Sequence, residues 1–135
     1  FSAYVYWYLK RFYGLMGDND QRSPVSEGEI AKNGYIMAHY AQYATGMTRI
    51  NAGTDNADVY ATAYINEAGN EVTVVLLNLG KSTQCVEIPV GHDATAVITD
   101  ADRNLEPLTT EPVESGTGAY VLLSGNSIVS VRLSL

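Results

Sequence analysis

The chain opens on a run that few folds can accommodate. Ala3-Tyr-Val-Tyr-Trp-Tyr-Leu9 is apolar or aromatic at every position, so it shows neither the alternation of a half-exposed strand nor a helical stripe. A short continuous apolar run of this kind fits a strand buried on both faces, as in a parallel sheet. Turn chemistry follows at Gly14, Gly17, Asp18-Asn-Asp20 and Pro24. Ser26-Glu-Gly-Glu29 then has the form of a capping box, in which the hydroxyl and the carboxylate each satisfy a free backbone N–H. Ile30, Ala31, Tyr35, Met37, Ala38, Ala41 and Ala44 recur at helical spacing, and Gly46 is a suitable stop. The spacing predicts a helix over 27–45 and a β/α unit over 1–47. A lone β/α unit cannot cover both faces and both edges of its strand. The strand at 3–9 therefore calls for partners from elsewhere, and a chain that opens in mid-strand is expected to be a fragment.

Beyond residue 47 the period changes to two. Val59–Ile65 alternates, Glu67-Ala-Gly-Asn70 reads as a hairpin loop, and strands are expected at 72–79, 84–90, 94–99, 119–123 and 127–133. Short strands with turn residues between them predict an antiparallel β-sandwich over 48–135. The fold class expected is mainly β: an antiparallel β-sandwich preceded by one β/α unit. Cys85 lies in an alternating strand without a basic neighbour, so the reading makes it a small buried core residue.

The net charge of −7 disfavours nucleic acid, since phosphate binding needs a basic face and only Lys10-Arg11 sets two basic residues together. No apolar run approaches the roughly 20 residues of a membrane span. Ten tyrosines, against two phenylalanines and one tryptophan, suit a carbohydrate surface and equally suit the half-exposed strands of an ordinary sandwich. Asp18-Asn-Asp20 lacks the further oxygen ligands of a calcium loop and reads as a solvated turn. His39 and His92 have no metal-ligand spacing, and His39 reads as a packing or surface residue of the helix. No metal or cofactor is expected.

Ala3-Tyr-Val-Tyr-Trp-Tyr-Leu-Lys-Arg-Phe-Tyr-Gly14, Gly28-Glu-Ile-Ala-Lys-Asn-Gly-Tyr35 and Met37-Ala-His39 resemble glycoside hydrolase family 30, closest to its bacterial glucuronoxylan endo-xylanases. The family pattern runs Ala-Tyr-Val-Trp-Trp-Tyr-Ile-Arg-Arg-x-Tyr-Gly, then Ile-Ser-Lys-Arg-Gly-Tyr. Arg49-Ile-Asn-Ala52 and Val59–Tyr64 resemble the first strands of its side domain. The likeness is strong over 1–65 and only one of pattern beyond 70. The resemblance implies that 3–9 is the eighth strand of a (β/α)8 TIM barrel and that the following helix is the eighth helix. Trp7, Arg11 and Tyr13 would then line the cleft at the strand's C-terminal end. The resemblance also implies that Arg11 and Tyr13 hold the 4-O-methyl-glucuronate branch of xylan, in a secreted enzyme.

A planar guanidinium can grip a carboxylate with two parallel hydrogen bonds, and an indole face can pack on a sugar ring. On the residues alone, Arg11 could instead pair with Asp18, and Trp7 could be barrel core. The two carboxylic acids of a retaining glycosidase would precede this chain, so no glutamate here is assigned to catalysis. Lys10, where the pattern has arginine, is expected to face solvent. Two other readings stay open: a non-catalytic sandwich module that binds glycan or braces a barrel, and a family 30 hydrolase acting on another glycan.

Overall fold

The computed structural model describes residues 3–135; Phe1 and Ser2 of the opening run lie outside the described residues. The chain divides into two compact units, the first ending at Ala38 and the second running His39–Leu135. The division falls inside the helix α1 (Lys32–Tyr43), whereas the sequence placed its boundary at 47.

The first unit holds little regular structure. Residues 3–9 are not in a strand: among the described residues no strand pairs with them, and Val5 is 88% and Tyr4 73% exposed. An apolar strand exists only where neighbours take up its backbone groups on both edges. Without such neighbours the segment leaves Tyr4, Val5, Trp7 and Leu9 exposed. The capping box is half present. Glu29 Oε2 accepts the Ser26 N–H at 3.1 Å, but this closes a turn rather than opening the helix. The helix starts later than expected, with the Ala31 carbonyl accepting from Gly34 and Tyr35. It stops as expected: Gly46 takes φ 79°, and the Met47 N–H bonds the Ala44 carbonyl.

The second unit is a β-sandwich. Its strands are β1 (Thr48–Ile50), β2 (Val59–Ile65), β3 (Glu71–Asn78), β4 (Gln84–Ile88), β5 (His92–Thr99), β6 (Glu106–Leu108), β7 (Glu111–Pro112), β8 (Ala119–Leu123) and β9 (Ser127–Ser134). One sheet has the order β1-β2-β3-β9-β5-β6 and the other β4-β8-β7, with every pairing antiparallel. Alternate residues build the core between the sheets. Val72, Val74 and Leu76 of β3 and Val129, Val131 and Leu133 of β9 meet Val121 and Leu123 of β8. Asn78 ties the two sheets together. Its buried amide donates to the carbonyls of Ser82 (2.8 Å), Leu123 (3.1 Å) and Ser124 (2.9 Å).

β3 and β9 are buried on their outer face as well, where Thr73, Val75, Ile128 and Ser130 lie. His39, on α1, is fully buried against that face. Its Nδ1 is 2.8 Å from Ser130 Oγ and its Nε2 2.9 Å from Thr99 Oγ1. The Leu105 N–H occupies a lone pair of Thr99 Oγ1 at 2.9 Å, so the threonine hydroxyl is free to donate to Nε2. Nδ1–H then donates to Ser130, and every polar atom of the cluster is satisfied with the imidazole neutral. Burial pushes the His39 pKa down to about 4. The sequence reading of His39 as a packing residue is the one the structure bears out.

Cys85 is a correction. It is exposed, not in the core. β4 turns Ile88 inward and Cys85 and Glu87 outward, and Cys85 lies opposite the exposed Leu122. Alternation in a sequence gives the period of a strand but not which set of side chains faces in.

Candidate functional site

The chemistry-bearing residues of the first unit cluster on a tight loop at Leu9–Gly17. The Leu9 carbonyl accepts from Leu15 and Met16 at 3.0 and 2.9 Å, and the Gly14 N–H closes a turn on the Arg11 carbonyl at 2.8 Å. Gly14 cannot be replaced by a larger residue without movement. A Cβ there would sit 2.9 Å from the Tyr8 and Leu9 carbonyl oxygens and from the Arg11 nitrogen. Three further backbone bonds hold the loop to the segment before α1: Ala31 to Leu15 (2.9 Å), Gly17 to Glu29 (2.8 Å) and Gly28 to Gly17 (3.1 Å).

This loop turns an aromatic chain outward. Trp7 and Tyr8 have ring centroids 4.4 Å apart, Tyr8 and Tyr13 6.4 Å, and Phe12 and Tyr13 4.7 Å in an edge-to-face arrangement. Trp7 is 72% exposed, so it is not a core residue of the described chain. The Arg11 guanidinium carbon lies 5.6 Å from the Tyr8 ring centroid, within cation–π range.

The cations around this chain are not equivalent. Lys10, expected to face solvent, forms an ion pair with Glu27. The hydrogen bond from Lys10 pulls the Glu27 pKa down. Arg22 grips Asp20 through two hydrogen bonds of 2.8 and 2.6 Å while its guanidinium carbon lies 3.8 Å from the Phe12 ring centroid. That grip holds the Asp20 carboxyl well below the usual carboxylate range. Asp18 caps its own turn, accepting the Asp20 N–H at 3.1 Å, and does not pair with Arg11. Among the described residues, no carboxylate lies within ion-pairing distance of Arg11.

The structure therefore brings together all three residues that the sequence singled out: Arg11 and Tyr13 on the turn, and Trp7 linked to them through Tyr8. Sequence reasoning missed Tyr8 as that link, Arg22 as the partner of Phe12, and the contacts of Tyr6 and Asn33. Tyr8 stood inside the quoted motif. Nothing in the residues around Arg22 and Asn33 signals their contacts.

No family model matches the chain. A curated relative, the glucuronoxylanase XynC of Bacillus subtilis (strain 168), is 33% identical over 96% of this chain and 30% of its own length. The likeness is to glycoside hydrolase family 30. Solved structures agree in fold. A family 30 endoxylanase from Clostridium papyrosolvens C71 superposes with a TM-score of 0.70 at 21% identity, over 80% of this chain and 29% of that one. The family 30 subfamily 8 xylanase Xyn30A from Clostridium acetobutylicum gives 0.73 at 16% identity, over 90% and 31%. The fold is thus that of the C-terminal side domain of family 30 xylanases, and the chain spans about 30% of the length of the curated relative.

Proposed function

We propose that the chain is the C-terminal part of a retaining endo-β-1,4-xylanase that cleaves glucuronoxylan, with Arg11 and Tyr13 receiving the 4-O-methyl-glucuronate branch. The observation that carries the reading is the state of Arg11: an exposed guanidinium with no carboxylate within ion-pairing distance among the described residues, over the ring of Tyr8, which in turn meets the ring of Tyr13. Its neighbours Lys10 and Arg22 each hold an acid already. An acidic chain offers no bulk attraction to a uronate. Recognition must therefore be local, and a free planar fork of donors beside a phenol supplies it. Trp7 and Tyr8 offer flat faces on which xylose rings can stack.

In this reading the rest of the (β/α)8 barrel and the two catalytic carboxylic acids lie outside these 135 residues, and the enzyme is secreted to act on its polymer. The test is Arg11→Ala in the whole enzyme. Loss of one charge-assisted pair of about 2–3 kcal/mol corresponds to about a 30- to 150-fold fall in kcat/KM on glucuronoxylan. Activity on unbranched xylan should stay unchanged. An unaltered rate on glucuronoxylan refutes the assignment, and glycan binding confined to residues 48–135 favours an accessory module.

A further inference from the structure

Tyr6 and Asn33 are 27 positions apart, yet both reach the same backbone oxygen. The Tyr6 hydroxyl donates to the Tyr13 carbonyl at 2.9 Å. The Asn33 side-chain amide donates to the Tyr6 hydroxyl at 3.3 Å and lies 3.5 Å from the Tyr13 carbonyl. The phenol oxygen thus both gives and receives, and Asn33 sits in the first turn of α1, which fixes where its amide can point. The family pattern has tryptophan in place of Tyr6 and arginine in place of Asn33. An indole has no acceptor and cannot complete this arrangement. The two departures from the pattern are hydrogen-bonded to each other.

The bonded carbonyl sits at a sensitive place. Tyr13 is 39% exposed, Arg11 is exposed, and the turn from Arg11 to Gly14 that carries both is closed by the Gly14 N–H on the Arg11 carbonyl, with the Arg11 N–H on the Met16 carbonyl at 3.3 Å. Side chains on an exposed turn are directed only as well as the backbone beneath them is fixed. The Tyr6 bond fixes the far side of that turn, beside Gly14.

We propose that Tyr6 and Asn33 are positioning residues: they pin the Tyr13 carbonyl, and so hold the Arg11–Tyr13 pair in the orientation that accepts the uronate. This deepens the proposed function and rests on it. Tyr6→Phe removes the bonding oxygen and keeps the ring. Asn33→Ala removes the second donor from an exposed position.

Each variant is made in the whole enzyme and compared with Arg11→Ala. Readouts are the KM and kcat on glucuronoxylan and on unbranched xylan, the affinity for a short xylo-oligosaccharide carrying one 4-O-methyl-glucuronate, and the melting temperature. Tyr6→Phe should raise KM for glucuronoxylan and weaken the oligosaccharide about fivefold, as expected for one neutral hydrogen bond, with kcat, unbranched xylan and melting temperature little changed. Asn33→Ala should act in the same direction and less, and adding it to Tyr6→Phe should bring little more, because both work through one carbonyl. If Arg11→Ala weakens the oligosaccharide and Tyr6→Phe does not, the bracing role is wrong while the site survives. If Arg11→Ala leaves affinity intact, the site reading fails and the brace fails with it. A fall in rate on both substrates alike for Tyr6→Phe overturns the positioning role in favour of a purely structural one.

Discussion

The two units are held together in different ways. In His39–Leu135, strands supply one another's backbone partners, and alternate side chains fill a core in which Ile98, Val121, Leu123, Val129, Val131 and Leu133 are shut off from solvent. In the unit ending at Ala38, Ala31 is the one buried apolar side chain among the described residues, and scattered turn bonds with two ion pairs do the work of a core. The aromatic side chains that would make a core there face outward instead. A sheet buried between layers has its conformation fixed by burial. A loop whose guanidinium and phenol stay exposed to solvent is fixed through its backbone.

That contrast is broken or sharpened first by truncating one large side chain in each unit. Leu76→Ala removes a side chain 2% exposed at the centre of β3 and should cost about 2–5 kcal/mol in urea unfolding, by lost burial plus the cavity left behind. Trp7→Ala removes a larger side chain that is already 72% exposed and should change stability by less than about 1 kcal/mol. Equal losses for the two would mean that the aromatic chain is structural after all.

Next in size is a pH effect carried by the second unit alone. His39 is neutral when folded, with its pKa depressed from the ordinary 6.5 to about 4 by burial between Thr99 and Ser130. Between these values the unfolded chain binds the proton and the folded one does not. Its contribution is therefore complete above pH 6.5 and is lost as pH falls through about 4. The shift corresponds to about 3 kcal/mol. The ionisable groups facing it are few: Tyr43 lies 6.5 Å away, ring to ring, with Arg132 beyond it, 5.2 Å from the Tyr43 ring centroid. Neither offers a negative charge to an imidazolium. Urea midpoints followed from pH 7 to pH 4 should fall, and His39→Gln, which cannot take up a proton, should flatten the part of that fall due to this site. An equal fall in the variant would assign it to other groups.

How much of this could be read from the residues follows from the same contrast. The strands β2, β3, β4, β5, β8 and β9 were legible because each runs for five residues or more, so its period shows. β6 and β7 were not: they are three and two residues long, and Glu106-Pro-Leu and Glu111-Pro carry proline, which a strand tolerates only at an edge. The segment 3–9 was read as a strand because its composition demands burial, and composition does not supply partners. At the site, the local motif from Trp7 to Tyr13 gave the three residues that come together. The Tyr6–Asn33–Tyr13 contact was hidden because its parts belong to the opening segment, the helix and the turn, and no local pattern joins them.

The smallest expected effect concerns Cys85, where burial and alternation point opposite ways. Cys85→Ser should shift the urea midpoint by no more than about 0.5 kcal/mol, because the thiol stands on the outer face of β4 and gives up almost no burial. Ile88, three residues on in the same strand, is 5% exposed and packs in the core, so Ile88→Ala should cost several times as much. A thiol reagent added to the folded protein should modify the cysteine without denaturant, since access and not unfolding governs the reaction. If modification waits for unfolding, or if the serine variant is as damaging as Ile88→Ala, the outer face of β4 is covered, and the assignment of inward and outward sides in the smaller sheet has to be reversed.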